Sequence, residues 1–287
     1  ATPERADGAG LRDAFDDLVV GATMRELTEA GLLAPCDVLA PAGRQDGLAE
    51  DAAAAWARLA GGRPTVAFCR TVAESLRLAV ALEEMGVRAR HIDGGTATRE
   101  RAEALAAFAA GRVDVLTNVF VLTEGWDCPR AKVCLLARGC GAEGTFLQMV
   151  GRVLRPDETG SRALVIDLAG VVNEHGLPDE PREFSLDGIR RRPKEQRPWI
   201  AQCLACGLTV EGAKRGPACP RCGGAWPPAP VQKVKPAEIV AAAPVPRAVK
   251  QGEFMRLRGI AERNGYKPGW VGVRFKERFG HWPRGLS

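Results

Sequence analysis

Short apolar runs alternate with longer runs of helical period between residues 65 and 168 of this 287-residue chain. The predicted strands are 65–69, 88–92, 113–117, 132–137 and 163–168. Because a helical run separates most neighbouring strands, the pattern is typical of a parallel sheet with helices on both of its faces. The sequence therefore predicts an α/β fold for this part of the chain.

The helix predicted at 71–85 has a clear start, a clear end and one apolar stripe. Thr71, with Glu74 three residues later, forms a capping box, and Gly86 is typical of a helix end. We expect the stripe to lie in the core, and its members are Val72, Leu76, Ala79 and Val80. Further helices are predicted at 48–59 and 98–110.

Charge is divided unevenly along the chain. Residues 1–187 hold 20 Lys/Arg and 29 Asp/Glu, whereas residues 188–287 hold 20 and 6. A block of one sign can be merely a solvated surface, but a basic block of this size is typical of a protein that binds a phosphate backbone. We therefore expect a nucleic-acid partner, DNA or RNA.

Composition argues against a membrane protein. No apolar run approaches the ~18 residues that a membrane helix needs, and the first residues do not resemble a signal peptide. A hydrophobic content of 46% is ordinary for a folded domain. We expect a cytoplasmic protein without a membrane partner.

Four of the nine cysteines form two C-x-x-C pairs, Cys203/Cys206 and Cys219/Cys222, with 12 residues between the pairs. Two such turns can present four thiolates to one tetrahedral ion, and Zn²⁺ is the usual occupant of a four-sulfur site. Four protein ligands close the coordination shell, so this zinc would be structural. The alternatives are a redox dithiol, cysteines with no shared role, and an iron–sulfur cluster. The other five cysteines are expected to be small buried side chains.

Gln148, Arg152 and Arg155 are spaced to share one face of a helix. A face with two permanent cations and an amide suits a nucleotide triphosphate, because guanidinium groups stabilise the charge on a transferring phosphoryl group. Taken alone, two arginines on a helix are usually a solvated face. Upstream, the run T-E-G-W-D at 123–127 follows a predicted strand closely. We expect this run to lie beyond the carboxyl ends of the strands, where parallel sheets bind ligands.

The runs at 123–127 and 148–155 resemble motifs V and VI of superfamily 2 helicases and translocases, which belong to the second of their two RecA-like domains. The segments at 65–69 and 91–94 resemble motifs IV and IVa and stand in the same order as in that family. The resemblance covers roughly residues 38 to 170. It implies a RecA-like sheet and an ATP-dependent helicase or translocase.

Site residues follow from this resemblance. Arg152, Arg155 or both would reach ATP and its Mg²⁺, held by another domain, and one would act as an arginine finger. Gln148 stands where the family has a sensing side chain, and these three form the catalytic set. Gly125 and Asp127 would join the two arginines at the nucleotide, with Asp127 near the ribose or the arginines.

The resemblance also implies contacts with nucleic acid. Thr123 and the backbone of Gly125 would touch phosphate. Arg70 and Thr71 lie at the end of the motif IV strand, where they would reach a phosphate at the start of the following helix.

The last residues interleave bases and aromatics, and they resemble the C-terminal end of RadD-like DNA-repair helicases, which lies downstream of a zinc module. Arg274 and Lys276, together with Lys214 and Arg215 of the cysteine module, would then contact DNA. A single-strand binding protein or another repair factor is the implied protein partner. Four apolar residues are expected to pack inward, namely Phe254, Leu257, Trp270 and Phe275.

Two motifs needed for ATP hydrolysis are missing from this sequence. It contains no G-K-[ST] phosphate-binding loop and no acidic magnesium motif, and Ala1-Thr2-Pro3 resembles the end of motif III. We therefore expect the C-terminal half of a larger motor, inactive on its own. The alternative is a truncated, non-catalytic protein that binds nucleic acid or regulates another protein.

The expected organisation has six parts. They are the end of a first RecA-like domain with its link (1–40), the second RecA-like domain (41–187), a basic connector (188–198), a zinc ribbon (199–226), a Pro-rich linker (227–250) and a basic aromatic helical module (251–287).

Overall fold

The computed structural model describes residues 9–40, 51–123, 125–157, 159–182, 184–187, 198–229, 247–267, 269–279, 282 and 283. The chain divides into two compact units, residues 1–230 and 231–287. Several predicted features lie outside the described residues: Glu124, the start of the helix at 48–59, nearly all of the basic connector and most of the Pro-rich linker.

One sheet of eight strands runs through the first unit. Its strands are β1 (Cys36–Leu39), β2 (Thr65–Cys69), β3 (Ala89–Ile92), β4 (Val115–Asn118), β5 (Val133–Ala137), β6 (Ala163–Asp167), β7 (Ile200–Gln202) and β8 (Leu208–Glu211). The order across the sheet is β3-β4-β2-β5-β6-β1-β8-β7. The first six strands pair in parallel, whereas β8 pairs antiparallel with both β1 and β7.

Helices cover both faces of this sheet. They are α1 (Met24–Glu29), α2 (Ala52–Leu59), α3 (Val72–Glu84), α4 (Thr98–Ala109), α5 (Glu143–Gly151) and α6 (Val171–His175). Alternate residues of β2 enter two different core clusters, Phe68 with the aromatic rings of Phe108 and Phe146, and Ala67 with Trp56 and other residues. The predicted fold class, a RecA-like parallel sheet with helices on both faces, is confirmed.

The predicted strands agree with the observed ones to within two residues at each end. One element was not anticipated as part of the sheet. β1 pairs with β6 over four residues, although the segment up to residue 40 was expected to be an interdomain link. The cysteine hairpin, expected as a separate ribbon, extends the same sheet through β8.

The stripe predicted for α3 is wrong in three of its four members. Val72, Leu76 and Val80 are 41–52% exposed, and the face that packs on the sheet carries Ser75, Leu78, Ala79 and Leu82. A polar residue lies in this buried face because its hydrogen bonds are satisfied there. The Ser75 hydroxyl forms a hydrogen bond with His91 Nδ1 at 2.7 Å, and the Ser75 backbone carbonyl accepts one from Thr117 Oγ1 at 2.9 Å.

The second unit contains α7 (Arg247–Asn264) and α8 (Gly269–Phe279). The buried residues between them are Leu257, Ala261, Val271 and Phe275, and Phe254 and Trp270 pack against this cluster. The inward packing predicted for the aromatic residues of this segment is confirmed. Among the described residues, none of the helices combines the length and apolar character that crossing a bilayer requires.

Candidate nucleotide site, nucleic-acid edge and metal centre

The two segments that carry the motor-like signatures meet in the structure. Arg155 Nε donates to Asp127 Oδ1 at 2.7 Å, across 28 positions of sequence. Arg152 donates to the carbonyl oxygen of Trp126 and, through Nε, to the carbonyl of Gln148 at 3.3 Å. The side chains of Arg155 and Asp127 are 41% and 66% exposed, so a ligand can reach this pair.

A buried lysine fixes the backbone of Arg155. Lys132 Nζ donates to the Arg155 carbonyl at 3.0 Å and lies 2.9 Å from Asp157 Oδ2. Hydrogen bonds from Ser161, Lys132 and Thr159 hold the pKa of Asp157 well below its usual range. Asp157 is therefore ionised at neutral pH and offsets the buried charge of Lys132.

The location of this ion pair differs from the expected one. Asp127 and Arg155 lie in the connections that lead into β5 and β6, and Lys132, which bonds the Arg155 carbonyl, immediately precedes β5. The pair is thus at the amino-terminal end of these strands. The reason is that the 14-residue connection after β4 runs back along the sheet before β5 begins.

Gln148, Arg152 and Arg155 line one groove of about 310 Å³. Its other walls are largely apolar and come from two distant segments, with Met24 and Leu33 on one side and Phe184 on the other. Arg182 also lines it and is held by five hydrogen bonds, to Glu143 and to the carbonyls of Pro178, Glu180, His175 and Leu177. The three predicted catalytic residues therefore share one accessible surface, but they do not share one helix face as predicted. Helix α5 ends at Gly151, Arg152 is its C-cap, and Arg155 lies beyond the end of the helix.

Thr123 is placed differently from the expectation that it touches phosphate. It is buried, and its Oγ1 has no hydrogen-bond partner among the described residues. Gly125 has a φ of 73°, which explains why a glycine is needed at this turn. Trp126 packs edge-on against Phe108, with centroids 5.7 Å apart. A contact between Thr123 and phosphate would require this loop to open.

Arg70 and Thr71 lie at the carboxyl end of β2. Arg70 is exposed and pairs with Glu74 at 2.6 Å. The Thr71 hydroxyl accepts from the Glu74 N–H at 3.2 Å and so caps α3. The Glu74 carboxylate pairs with Arg70, and this ion pair replaces the return bond of the predicted capping box. Arg70 remains available for an anion because the pair is on the surface.

Four cysteines come together as the spacing predicts. The Sγ atoms of Cys203, Cys206, Cys219 and Cys222 lie within 4.8 Å of one another. The pairs Cys203–Cys222 and Cys206–Cys219 are both 3.6 Å apart. A tetrahedral Zn²⁺ with bonds of about 2.3 Å sets its sulfurs about 3.8 Å apart. These residues therefore could hold one such ion.

Both halves of the cysteine cluster use the same turn. The N–H of Gly207 donates to the Cys203 carbonyl, and the N–H of Gly223 donates to the Cys219 carbonyl, each at 2.8 Å. Both glycines have positive φ. A Cβ on Gly207 would lie 2.8 Å from the carbonyl oxygen of Ala40. Glycine at 207 is therefore needed both for the turn and for docking against the end of β1.

The thiols of the cluster differ in acidity. Burial opposes ionisation of Cys203, but the N–H groups of Cys206 and Ala205 stabilise its thiolate, and its pKa is lowered to about 7. Burial raises the pKa of Cys206 to about 12. Because metal binding deprotonates thiols, a divalent cation would convert this mixed set into four thiolates.

The basic residues predicted to contact nucleic acid are partly engaged within the chain. Lys214 pairs with Glu211 at 2.8 Å, and Arg215 lies over the Trp199 ring and donates to the Pro227 carbonyl. In the second unit, Arg274 lies 5.8 Å from the Trp270 centroid and Lys276 lies 5.1 Å from that of Trp282. Arg215 is half-buried, whereas the other three cations are exposed.

Residues 52–157 match the family described as the helicase conserved C-terminal domain. The match covers β2 to β5 and α2 to α5, and it includes both segments that form the Arg155–Asp127 pair. This part of the chain is therefore similar to the C-terminal domains of helicases.

Individual relatives are similar over parts of their length. The 51.5 kDa protein of Lactococcus phage (isolate 7-9) is 27% identical over 230 residues, which are 72% of this chain and 51% of that protein. The ATP-dependent rRNA helicase rrp3 of Aspergillus oryzae is 32% identical over 130 residues, 42% of this chain and 28% of the helicase. UvrABC system protein B of Chlamydia muridarum is 27% identical over 156 residues, 52% and 23% of the two chains. The chain thus spans about half or less of these relatives.

Among solved structures, the C-terminal domain of the DEAD-box protein Dbp5 is 18% identical, with a TM-score of 0.41, and the similarity covers 49% of this chain and 82% of that one.

Sequence reasoning missed several residues around these sites. Lys132 and Asp157 support the backbone of Arg155 from outside the motifs. Phe120 and Arg138 form a cation–π pair at the carboxyl ends of the strands, with the Arg138 guanidinium carbon 3.5 Å from the ring centroid. The position of Arg138 directly after an apolar strand was the available signal.

Proposed function

We propose that this chain supplies the second motor domain of an ATP-dependent helicase or translocase that acts on nucleic acid. The observation that carries the proposal is the exposed ion pair between Arg155 and Asp127, with Arg152 anchored beside it. Arg155 would act as the arginine finger on ATP·Mg²⁺ bound by a separate phosphate-binding domain, and Arg152 would orient the loop of Asp127. Gln148 would contact the nucleotide from the same groove.

DNA is the preferred substrate in this proposal, within a RadD-like repair role. The support for a nucleic-acid partner is the basic charge of residues 188–287, in which 20 Lys/Arg outnumber 6 Asp/Glu, and the support for DNA repair is the RadD-like pattern of the last residues. A phosphate backbone attracts such a block, and binding should weaken steeply with salt. Arg274 and Lys276 of the second unit and Arg70 of the first are the proposed phosphate contacts, with a single-strand binding protein or repair factor as the protein partner.

The four clustered cysteines would hold a structural Zn²⁺. The support is their mutual distances and the matched turns that present them. With all four coordination positions taken by thiolates, the ion has no open site for water or substrate. Its role would be to fix the hairpin that presents Lys214 and Arg215.

The test joins the N-terminus of this chain to a phosphate-binding RecA-like domain and measures DNA-stimulated ATP hydrolysis. Arg155→Ala should lower kcat about 10³-fold or more, because an arginine finger stabilises charge that develops only in the transition state. KM for ATP should change little by comparison. The control is Arg99→Ala, since Arg99 is a surface arginine that also pairs with a carboxylate, Glu103.

Normal hydrolysis by the Arg155→Ala protein would reject the finger assignment. A non-catalytic nucleic-acid-binding protein is the second candidate, and the charge of residues 188–287 favours it equally. It is distinguished by salt-sensitive DNA binding without any hydrolysis in the joined protein, with Arg155 unaltered.

A further inference from the structure

Phe120 has an unusual backbone conformation. Among the described residues it is the one non-glycine with positive φ, at 63°. The N–H of Val121 donates to the carbonyl of Val119 at 2.9 Å, which closes a three-residue turn around Phe120. With positive φ this is the rarer and strained form of the γ-turn. A bulky residue at such a position is uncommon, and strained positions of this kind cluster at active and ligand-binding sites.

Burial does not explain the ring. Phe120 is 52% exposed, so little hydrophobic energy offsets the strain. One face of the ring is covered by the guanidinium of Arg138. Arg138 is itself half-buried, its Nε donates to the Gly139 carbonyl at 3.1 Å, and its Nη1 is buried with no hydrogen-bond partner in the described part of the chain. Arg138 therefore supports the Phe120 ring from one face.

The register of the sheet places this pair beside the motif IV residues. Cys69 on β2 pairs with Ala137 on β5. Arg70 and Arg138 are the residues that immediately follow them. Asn118, two residues before Phe120, is the partner of Phe68 on β4 and β2. Phe120, Arg70 and Arg138 thus lie at the carboxyl ends of three adjacent strands. The Arg138 guanidinium crosses the end of β2 to reach the ring.

We propose that the free face of the Phe120 ring stacks on a base of a single-stranded nucleic acid whose phosphates pass Arg70 and Thr71. This inference rests on the proposed function, since it requires a nucleic acid at the carboxyl edge of the sheet. Every base offers a π-face, so stacking on one aromatic ring tolerates any sequence, while nearby cations track the backbone. The positive-φ turn sets the direction of the Phe120 Cα–Cβ bond, and the Arg138 guanidinium covers one face of the ring, so the other face is left for a base.

The test uses the full 287-residue chain and two single strands of about 16 nucleotides, one of thymidines and one abasic with the same phosphate charge. Fluorescence anisotropy measures Kd for both. Phe120→Gly should weaken thymidine-strand binding about tenfold and leave abasic-strand binding unchanged. Phe120→Tyr should bind both strands like the unaltered chain. Phe15→Gly, at another exposed phenylalanine, is the control and should change neither Kd.

Thermal unfolding separates binding from folding. Phe120→Gly should leave Tm unchanged or raise it by a few degrees, because glycine accepts positive φ without strain. A large fall in Tm would mean that the ring is structural and would overturn the inference.

Two binding outcomes also overturn it. They are unchanged thymidine-strand affinity in Phe120→Gly and equal losses on both strands. If the unaltered chain binds neither strand, the nucleic-acid part of the proposed function and this inference fail together. Loss of the base-dependent part alone is the supporting result.

Discussion

The parallel and antiparallel regions of the one sheet are stabilised in different ways. In β2, β5 and β6 every residue is buried, and helices cover both faces. β7 and β8 together have seven residues, of which three are buried. They meet the parallel region through two register pairs, Val38–Thr209 and Leu39–Leu208. The cysteine hairpin therefore pairs with the edge of the parallel sheet but buries a smaller fraction of its own residues.

The hairpin is therefore hydrogen-bonded to the parallel region without being stabilised to the same extent. The parallel region has enough apolar burial to fold by the hydrophobic effect. The hairpin has too little, so the proposed Zn²⁺ held by its four thiols would take the place of a core. The two regions should therefore respond to different perturbations.

Removal of the proposed Zn²⁺ should produce the largest difference between the responses of the two regions. Cys219→Ser should lose one Zn²⁺ per chain and expose residues 199–226 to protease, since structural zinc binding contributes on the order of 10 kcal/mol to folding. The helical circular dichroism of the parallel region should remain. Cys36→Ser, which changes a cysteine outside the cluster, should keep the metal. Purified protein without zinc, or a variant whose hairpin stays protected, would contradict the metal assignment.

Core substitutions should affect the parallel region. Leu82→Ala should lower the free energy of unfolding by about 2–5 kcal/mol, because Leu82 is fully buried. Leu76→Ala on the same helix should cost about 1 kcal/mol or less, because Leu76 is half-exposed. Urea denaturation of both variants measures the contrast, and zinc content should not change in either. Equal costs would mean that the α3 stripe is covered in solution.

A smaller effect on Tm is expected from loss of the Asp157 charge, either by substitution or at acidic pH. The folded-state pKa of Asp157 is lowered, so its contribution is present above the unfolded pKa of about 4 and is lost as pH falls. Asp157→Asn should therefore lower Tm at pH 7, and the gap to the unaltered chain should narrow below about pH 4. A pH-independent gap would show that the loss comes from packing and not from the charge that faces Lys132.

Much of the fold follows from the sequence. Periodicity predicted five of the six parallel strands and the helices α3 and α4, because apolar runs of strand length and capped amphipathic runs are local signals. The C-x-x-C spacing likewise predicted the cysteine cluster. The two cysteines of each pair come together because they lie in one tight turn that is encoded locally. The contact between the two pairs is a tertiary one.

The remaining features depend on tertiary packing. Periodicity predicted Val72, Leu76 and Val80 as core residues, but the sheet buries Ser75 because His91 and Thr117 satisfy its polar groups. The sequence placed Asp127 beyond the carboxyl ends of the strands, whereas the path of the connection after β4 carries it to Arg155 at the opposite end. Pairings of this kind depend on residues far apart in sequence, and only the packed sheet brings them within hydrogen-bonding distance.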